Sequence, residues 1–510
     1  MPIFVEEIKD IRFNNLGAPE SMRQVSVILF YLVVFLNLGY SKALAEKPWE
    51  HGPLRVSDNQ RFLCHTDGNP FFWLGDTGWL LPERLDRDEA AYYLKRTAQD
   101  GFNVVQIQVV NDIPAYNIYG AQSHPNGWDL SRIDSIPGYG YWDHLDYIVN
   151  QAEKEGIYIG MVCIWGGLVK AGLMNEEQAA RYGHFLAERY GKHPNIIWII
   201  GGDIQGDVKP EVWEKLATTI REKDPNHLMT FHPRGRTTSA KWFNSRKWLD
   251  FNMFQSGHRR YGQRMGNKDY PIPDGTEEDC WMYVDSATRV LPLKPVLDGE
   301  PSYEDIPQGL HSSEEPRWTD KDVRRYAYWS VFAGSCGHTY GHNSIMQFVR
   351  PGIEGAYFAD GDEKPWWKAL DDQGRKHMKH LKNLMLTFPY FERVSDSLMV
   401  RNNGSRYDRL LATRGNDYLL VYNHTGIPMT LDLTRISGKE KSLWWMNPKD
   451  GSLQYIGNRE IGVIYLPAPA GEGEDFVLIV TDSSSSYLSA STNTLTLRSV
   501  SNIGKTDLTE

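Results

Sequence analysis

The stretch IIWIIGGD, residues 196–203, decides the fold. Five consecutive apolar, mostly β-branched residues read as a strand buried on both faces, as in a parallel sheet covered by helices. Two glycines then end the run and deliver an aspartate to its C-terminal tip. Working outward, the same unit recurs. Before it lie apolar runs at 71–75, 104–109 and 158–163, and after it at 228–231, 251–254, 295–297 and 338–340. Between them, helical periodicity occupies 88–99, 142–155, 176–190, 210–223, 277–291 and 320–333, with a long closing helix expected over 366–386. Gly156 supplies a C-cap and Pro210 a first-turn proline. Eight strands alternating with helices predict a (β/α)8 barrel, an α/β fold. A doubly wound sheet makes the same alternation and is the alternative. Ahead of the first strand, LRVSDNQRFLCH (54–65) alternates about an Asp-Asn turn and reads as a hairpin.

Past Pro389 the pattern changes to strands alone, at 398–400, 409–413, 417–423, 430–433, 442–447, 462–466 and 476–480. Asn403-Gly404, Gly415-Asn416 and Asp450-Gly451 supply turns between them. The reading is therefore a catalytic barrel over 46–390 and an all-β sandwich over 391–482. The Ser/Thr-rich tail, 483–510, is expected to be disordered. At the other end, VSVILFYLVVFLNLGY (25–40) is apolar, follows Arg23 and precedes Ala43-Leu44-Ala45, a small-residue cleavage pattern. This reads as a signal peptide region over 1–45, with Met22 as the expected true start and a secreted or periplasmic mature chain. The run is short for a membrane span, so no stable membrane anchor is expected; an uncleaved anchor helix is the alternative.

Composition narrows the function classes. The 510 residues are 41% hydrophobic and 24% charged with a net charge of −10, a globular chain without the basic field that nucleic acid needs. Aromatics reach 12%, including 17 Trp, enough both to fill a core and to line a cleft. Cys64, Cys163, Cys280 and Cys336 show no metal-ligand spacing and are expected as buried free thiols. Neither a metal nor a cofactor is called for by any motif, and no nucleophile-elbow or zinc-protease signature occurs at a strand end.

In a barrel, chemistry sits where the strands end. The rim residues read in order are Asp76 and Trp79; Asn111 and Asp112; Trp165; Asp203; His232 and Arg234; Gln255 and His258; Asp298 and Glu300; His342 and Asn343. Acids, imidazoles, amides and indoles on one rim make a composition suited to sugar hydroxyls and ring faces. Glycoside cleavage needs two carboxyl groups flanking the scissile bond. Strands four and seven face each other across the lumen, so Asp203 and Glu300 are the candidate catalytic pair. Asp76, Trp79, Asp112, Trp165, His232, Gln255, Tyr303 and His342 are candidate substrate-binding residues, with Trp73 a further candidate for stacking. Asp298, two residues before Glu300, is expected to share its face and to raise its pKa by like-charge repulsion. Asp207 is expected to be solvated, and Glu304 to lie on the rim.

Three segments resemble one family. RFLCHTDGNPFFWLGDTGW (61–79), IIWIIGGD (196–203) and KPVLDGEPSYE (294–304) are similar to the apiosidase-like glycoside hydrolases, over roughly 48–390. LLVYNHTG (419–426) and WWMNPKDG (444–451) resemble the small β-sandwich, labelled collagen-binding, that commonly follows this barrel. The resemblance implies removal of apiose from pectic rhamnogalacturonan II, with Asp203 as general acid/base and Glu300 as nucleophile. The asparagine that precedes the acid in the larger barrel superfamily is replaced here by Gly202. Retention is expected, with the carboxyl groups about 5–5.5 Å apart. Two alternatives stay open: a glycosidase of another specificity, galactosidase- or glucanase-like, and a non-catalytic carbohydrate- or matrix-binding protein on an inactivated barrel.

Overall fold

The computed structural model describes residues 47–263, 278–310, 312–352, 363–469 and 473–495. The expected signal segment lies outside the described residues. Eight parallel strands form the inner ring: β1 Trp73–Thr77, β2 Val104–Gln108, β3 Tyr158–Val162, β4 Ile196–Ile204, β5 Met229–Pro233, β6 Asn252–Gln255, β7 Val296–Asp298 and β8 Gly337–Tyr340. Ladders run in the order β6-β7-β8-β1-β2-β3-β4-β5, all parallel. Between β5 and β6 the ring closes through single bonds in place of a ladder. The Asp250 N–H donates to the Met229 carbonyl at 2.9 Å, and Thr230 Oγ1 donates to the Phe251 carbonyl at 2.7 Å. The barrel reading therefore holds, and the strand–helix repeat that suggested it is the one that builds it.

The helices of the outer layer are α1 Arg87–Gln99, α2 Tyr141–Glu155, α3 Glu176–Tyr190, α4 Pro210–Lys223, α5 Cys280–Ala287, α6 Asp320–Phe332 and α7 Gln373–Thr387. Local sequence sets their ends. Asp86 with Glu89, Asn175 with Gln178 and Thr319 with Asp322 form reciprocal caps at the starts of α1, α3 and α6, and Gly156 ends α2 at φ +78°. The single closing helix expected over 366–386 is two: Trp366–Ala369, then α7. Asp372 sits between them in an extended conformation, its carboxylate taken by His342 Nε2 and Lys364 Nζ, each at 2.7 Å.

The opening hairpin pairs Leu54–Val56 with Leu63–His65, antiparallel. Past the barrel, a six-stranded antiparallel sheet contains β9 Leu411–Arg414, β10 Tyr418–Asn423, β12 Glu440–Met446, β13 Leu453–Glu460 and β15 Phe476–Asp482, with a short edge strand, Val394–Ser395. A second sheet pairs β11 Met429–Asp432 with β14 Val463–Leu466. Leu419, Val421, Leu431, Leu443, Leu478 and Val480 pack between the sheets. Where a strand was expected over 398–400, a 3-10 turn, Ser397–Met399, forms because the Asp396 carboxylate caps the Leu398 N–H. β13 escaped sequence reading because most of its exposed residues are polar and its apolar residues are few. The first part of the tail is packed, against expectation: Tyr487 lies on Phe388 and Tyr418 and donates to Asp417, while Leu488 is buried. Residues 496–510 lie outside the described ones.

The sandwich is fastened to α6. Arg324 Nε and Nη2 each meet an oxygen of Asp475 at 2.9 Å, with both side chains fully buried. Tyr422 donates to the same carboxylate and stacks on Tyr328 at 4.6 Å. A buried pair of this kind fixes geometry more than it adds stability. All four cysteines are buried and unpaired, as read from their spacing.

Candidate active site

The site begins with the backbone at the end of β4. Gly201 and Gly202 adopt φ +87° and +122°, and Asp203 follows at +47°. The β4–β5 register shifts across these residues, so the chain bulges and swings the Asp203 carboxylate into the lumen. A Cβ on Gly202 would stand 2.7 Å from Trp165 Cε3. The indole of Trp165 thus fills the space an asparagine side chain would take at that position. Gly202→Ala combines a forbidden φ with that clash. Because it shifts both the acid and its indole wall, it is expected to lower kcat/KM by about 100-fold or more; a near-normal value in steady-state assays would contradict this account of the bulge.

Glu300 follows β7 through Gly299. A Cβ on Gly299 would press 2.4 Å from Met253 Sδ, and its carbonyl accepts from Gln106 Nε2 at 2.8 Å across the lumen. These contacts fix where Glu300 leaves the strand. Its carboxylate then meets two imidazoles. His258 Nε2 is 3.4 Å from Oε1, and His232 Nε2 is 3.2 Å from Oε2. His232 Nδ1 accepts the Asp203 backbone N–H at 3.2 Å, which leaves Nε2 as the ring nitrogen beside Glu300. One histidine therefore links the two acids. Tyr303 lies beside Glu300, its hydroxyl accepting from Trp79 Nε1 at 2.9 Å.

These surroundings drive the two carboxyl groups apart. Asp203 is open to the cleft yet walled in by it. Burial first, then the negative charge of Glu300, push its pKa up to about 6, against the pull of His232. For Glu300, burial alone acts upward, but hydrogen bonding and the electrostatic influence of His232 and His258 outweigh it and hold the group below the usual carboxylate range. The arrangement therefore offers a proton donor opposite an anion.

Both acids line a cleft of about 520 Å³, together with Trp79, Trp165, Gln255 and Tyr303. Six of the sequence candidates thus converge, and His232 stands directly behind them. Trp79 and Trp165 lie 5.7 Å apart by ring centroids on one wall. Gln108 and Gln255, each about 5% exposed, present Oε1 atoms that have no hydrogen-bond partner among the described residues. Buried acceptors of this kind are suited to substrate hydroxyls. Gln108, Arg236, Arg259, Leu310 and Met346 also line the cleft and were not among the candidates. Gln106 and Gln108 carried a signal, since polar residues at alternate positions of an otherwise apolar strand point one way, into the lumen.

Four candidates lie elsewhere. Asp76 is 0% exposed; its Oδ2 takes Arg375 Nη1 and the Tyr93 hydroxyl, each at 2.6 Å. β1 runs to Thr77, so Asp76 lies within the strand and points outward to the helices, away from substrate. His342 is also 0% exposed, capping the Ser344 N–H through Nδ1 and bonding Asp372 through Nε2. Asp112 is exposed outside the cleft lining and caps the Ile113 N–H at 2.7 Å. Trp73 is core, its Nε1 donating to Thr339 Oγ1 inside the barrel. Asp298 does not share the cleft with Glu300. It is bound by Ser256 at 2.7 Å, and burial pushes its own pKa up to about 7. Glu304, expected on the rim, is buried and accepts from the Tyr340 hydroxyl and the Gly374 N–H.

Comparison with known proteins places this geometry. The family described as "Apiosidase-like, catalytic domain" matches residues 57–392, and "Putative collagen-binding domain of a collagenase" matches 394–481. No curated protein matches. Among solved structures, a glycoside hydrolase family 5 protein from Bacteroides vulgatus ATCC 8482 is 59% identical, with a TM-score of 0.87 over 88% of this chain and 98% of that one. A second structure, described as a glycoside hydrolase, is 60% identical, with a TM-score of 0.85 over 87% of this chain and 100% of that one. The barrel with its facing carboxyl groups is thus that of a glycosidase, and the chain belongs to the apiosidase-like family of glycoside hydrolases.

Proposed function

We propose that the protein cleaves a glycosidic bond in a pectic plant polysaccharide, with apiosidase-like specificity, using Asp203 as general acid/base and Glu300 as nucleophile. The observation that carries this is the opposite displacement of the two carboxyl groups in one cleft: Asp203 up to about 6, Glu300 downward. Asp203 holds a proton for the leaving oxygen while Glu300 stays anionic for attack at the anomeric carbon. Forming the glycosyl ester removes the Glu300 charge, the second of the influences that raise Asp203. The Asp203 pKa then falls, and the same carboxylate becomes the base that activates water. The product keeps its anomeric configuration, which proton NMR of early product reads directly; inversion would remove Glu300 from the nucleophile role.

The sign of the pH dependence follows. The competent free enzyme has Asp203 protonated, so kcat/KM is retained below about pH 6 and falls about tenfold per unit above it. Glu300 does not set an acid limb in the ordinary carboxylate range, because it remains ionised there. In Asp203→Asn the alkaline fall disappears along with most of the activity. An unchanged alkaline limb in that variant would assign the titration to another group.

The Gly202 position supports a small, branched furanoside over an ordinary pyranoside, since Trp165 occupies the place of a 2-hydroxyl ligand. The sandwich acts as a cap held on α6, and this reading does not call on collagen. The reading also includes export, with cleavage after Ala45; the N-terminal sequence of the mature protein tests that part.

A further inference from the structure

The sandwich meets the barrel at a second point, and this one adjoins the loop that lines the cleft. The turn over 403–410 is tied to the sandwich at its base. Asn403 accepts the Leu410 N–H at 2.9 Å and donates to the Leu410 carbonyl at 3.0 Å, and Thr425 Oγ1 donates to Asp408 at 2.8 Å. Within the turn, Arg406 is held at φ +50°, a left-handed conformation uncommon for a residue with a side chain. Three side chains leave it toward the barrel. Arg406 lies over the Tyr261 ring at 5.3 Å, and Arg409 over the Trp281 ring at 3.6 Å. Tyr407 packs edge-on against Tyr261 at 5.1 Å, and its hydroxyl, as donor, lies 2.8 and 3.0 Å from the two oxygens of Glu278. Glu278 is fully buried. The same carboxylate takes Arg325 Nη2 from α6 at 2.8 Å and the backbone N–H of Tyr261.

Tyr261 belongs to the loop that follows β6, and Gly257, His258 and Arg259 of that loop line the cleft. The barrel itself holds the inner part. Ser302 Oγ donates to the Gly257 carbonyl at 2.8 Å, and the Gly309 N–H and Trp318 Nε1 donate to the His258 carbonyl at 2.7 and 3.1 Å. Beyond His258 that hold weakens. Arg260 pairs with Glu315 at 3.0 Å, but both side chains are part exposed, where an ion pair contributes little. Gln263 Nε2 adds one bond to the Gln308 carbonyl at 2.9 Å. The bond from the Tyr261 N–H to a buried carboxylate is charge-assisted and stronger, and Tyr407 closes that carboxylate from the sandwich side. We propose that the 403–410 turn is a brace for the cleft, and that Tyr407 is a positioning residue that fixes the loop after β6, through Glu278 and Tyr261, for substrate binding. The proposal rests on the glycosidase reading of that cleft. Because His258 is clamped from within the barrel, the brace sets the place of the outer loop and leaves the groups around Glu300 where they are.

Hydrogen exchange on the full chain reads the brace without any substrate. In Tyr407→Ala, the amides of 259–263 are expected to exchange about tenfold faster or more, with those of β4 and β7 unchanged. Tyr407→Phe keeps the ring on Tyr261 and is expected to recover part of the protection. Tyr422→Phe is the control, since it removes a 2.9 Å bond to Asp475 on the α6 side and leaves the turn intact. Steady-state kinetics on rhamnogalacturonan II gives the second readout. Tyr407→Ala is expected to raise KM about three- to thirtyfold with kcat changed by less than about twofold, and Tyr422→Phe to leave both unchanged. Unchanged exchange in Tyr407→Ala, or equal changes in Tyr407→Ala and Tyr422→Phe, overturns the proposal. So does faster exchange with an unaltered KM. Faster exchange in Tyr407→Ala and not in Tyr422→Phe, with a wild type that cleaves no glycan, supports the brace and overturns the glycosidase reading beneath it.

Discussion

Glu300→Gln is expected to lower kcat by at least about 10⁴-fold, with unfolding free energy changed by no more than about 1 kcal/mol. The substitution keeps the shape and removes the charge and the nucleophilic oxygen. His232 and His258 lose an anion but keep a polar neighbour, so the site stays filled. The companion Asp203→Asn has a signature that a structural role would not produce. Loss of the proton donor matters in proportion to how much the leaving group needs the proton. The variant is expected to retain substantial activity on an aryl glycoside with an acidic phenol, while losing about 10²–10⁴-fold on a sugar leaving group. Equal losses on both substrates would show that Asp203 positions substrate and does not protonate it. Steady-state kinetics on the two substrate types checks this, with denaturant unfolding as the control.

Asp76→Ala is expected to cost about 3–5 kcal/mol of stability and to leave KM of the folded protein unchanged. Asp76 and Arg375 are both fully buried and meet at 2.6 Å. Removing the carboxylate leaves a guanidinium inside the barrel wall with Asp100, 2.9 Å from its Nε, as its remaining acidic partner. The Tyr93 hydroxyl loses its acceptor as well. The pair joins β1 to α7 across 299 residues of sequence, so it fastens the first strand to the last barrel helix. Chemical denaturation with a KM measurement distinguishes the roles. Normal stability with a raised KM would restore Asp76 as a substrate contact.

What could be read from the sequence, and what could not, divides along the strand ends. IIWIIGGD carries both a strand and its interruption, so Asp203 could be placed on the rim without coordinates. The same holds for Glu300, where Gly299 ends β7. Asp76 misled because β1 continues through Thr77, and a polar residue inside a strand points to the helices or to the lumen by parity, which the end of an apolar run does not reveal. His342 misled for a different reason: it follows β8 directly, but it caps the short helix Asn343–Met346 and holds Asp372, a partner 30 residues away. The coupling of Asp203 to Glu300 through one imidazole ring was beyond reading, since it depends on which His232 nitrogen accepts the Asp203 N–H. Arg234 was legible because it directly follows strand five.

The most direct test is product analysis after incubating residues 46–510 with rhamnogalacturonan II, beside the Glu300→Gln protein. The account predicts apiose-terminated or apiose-containing fragments from the wild type and none from the variant. Fragments from both proteins, or none from any glycan, would contradict it.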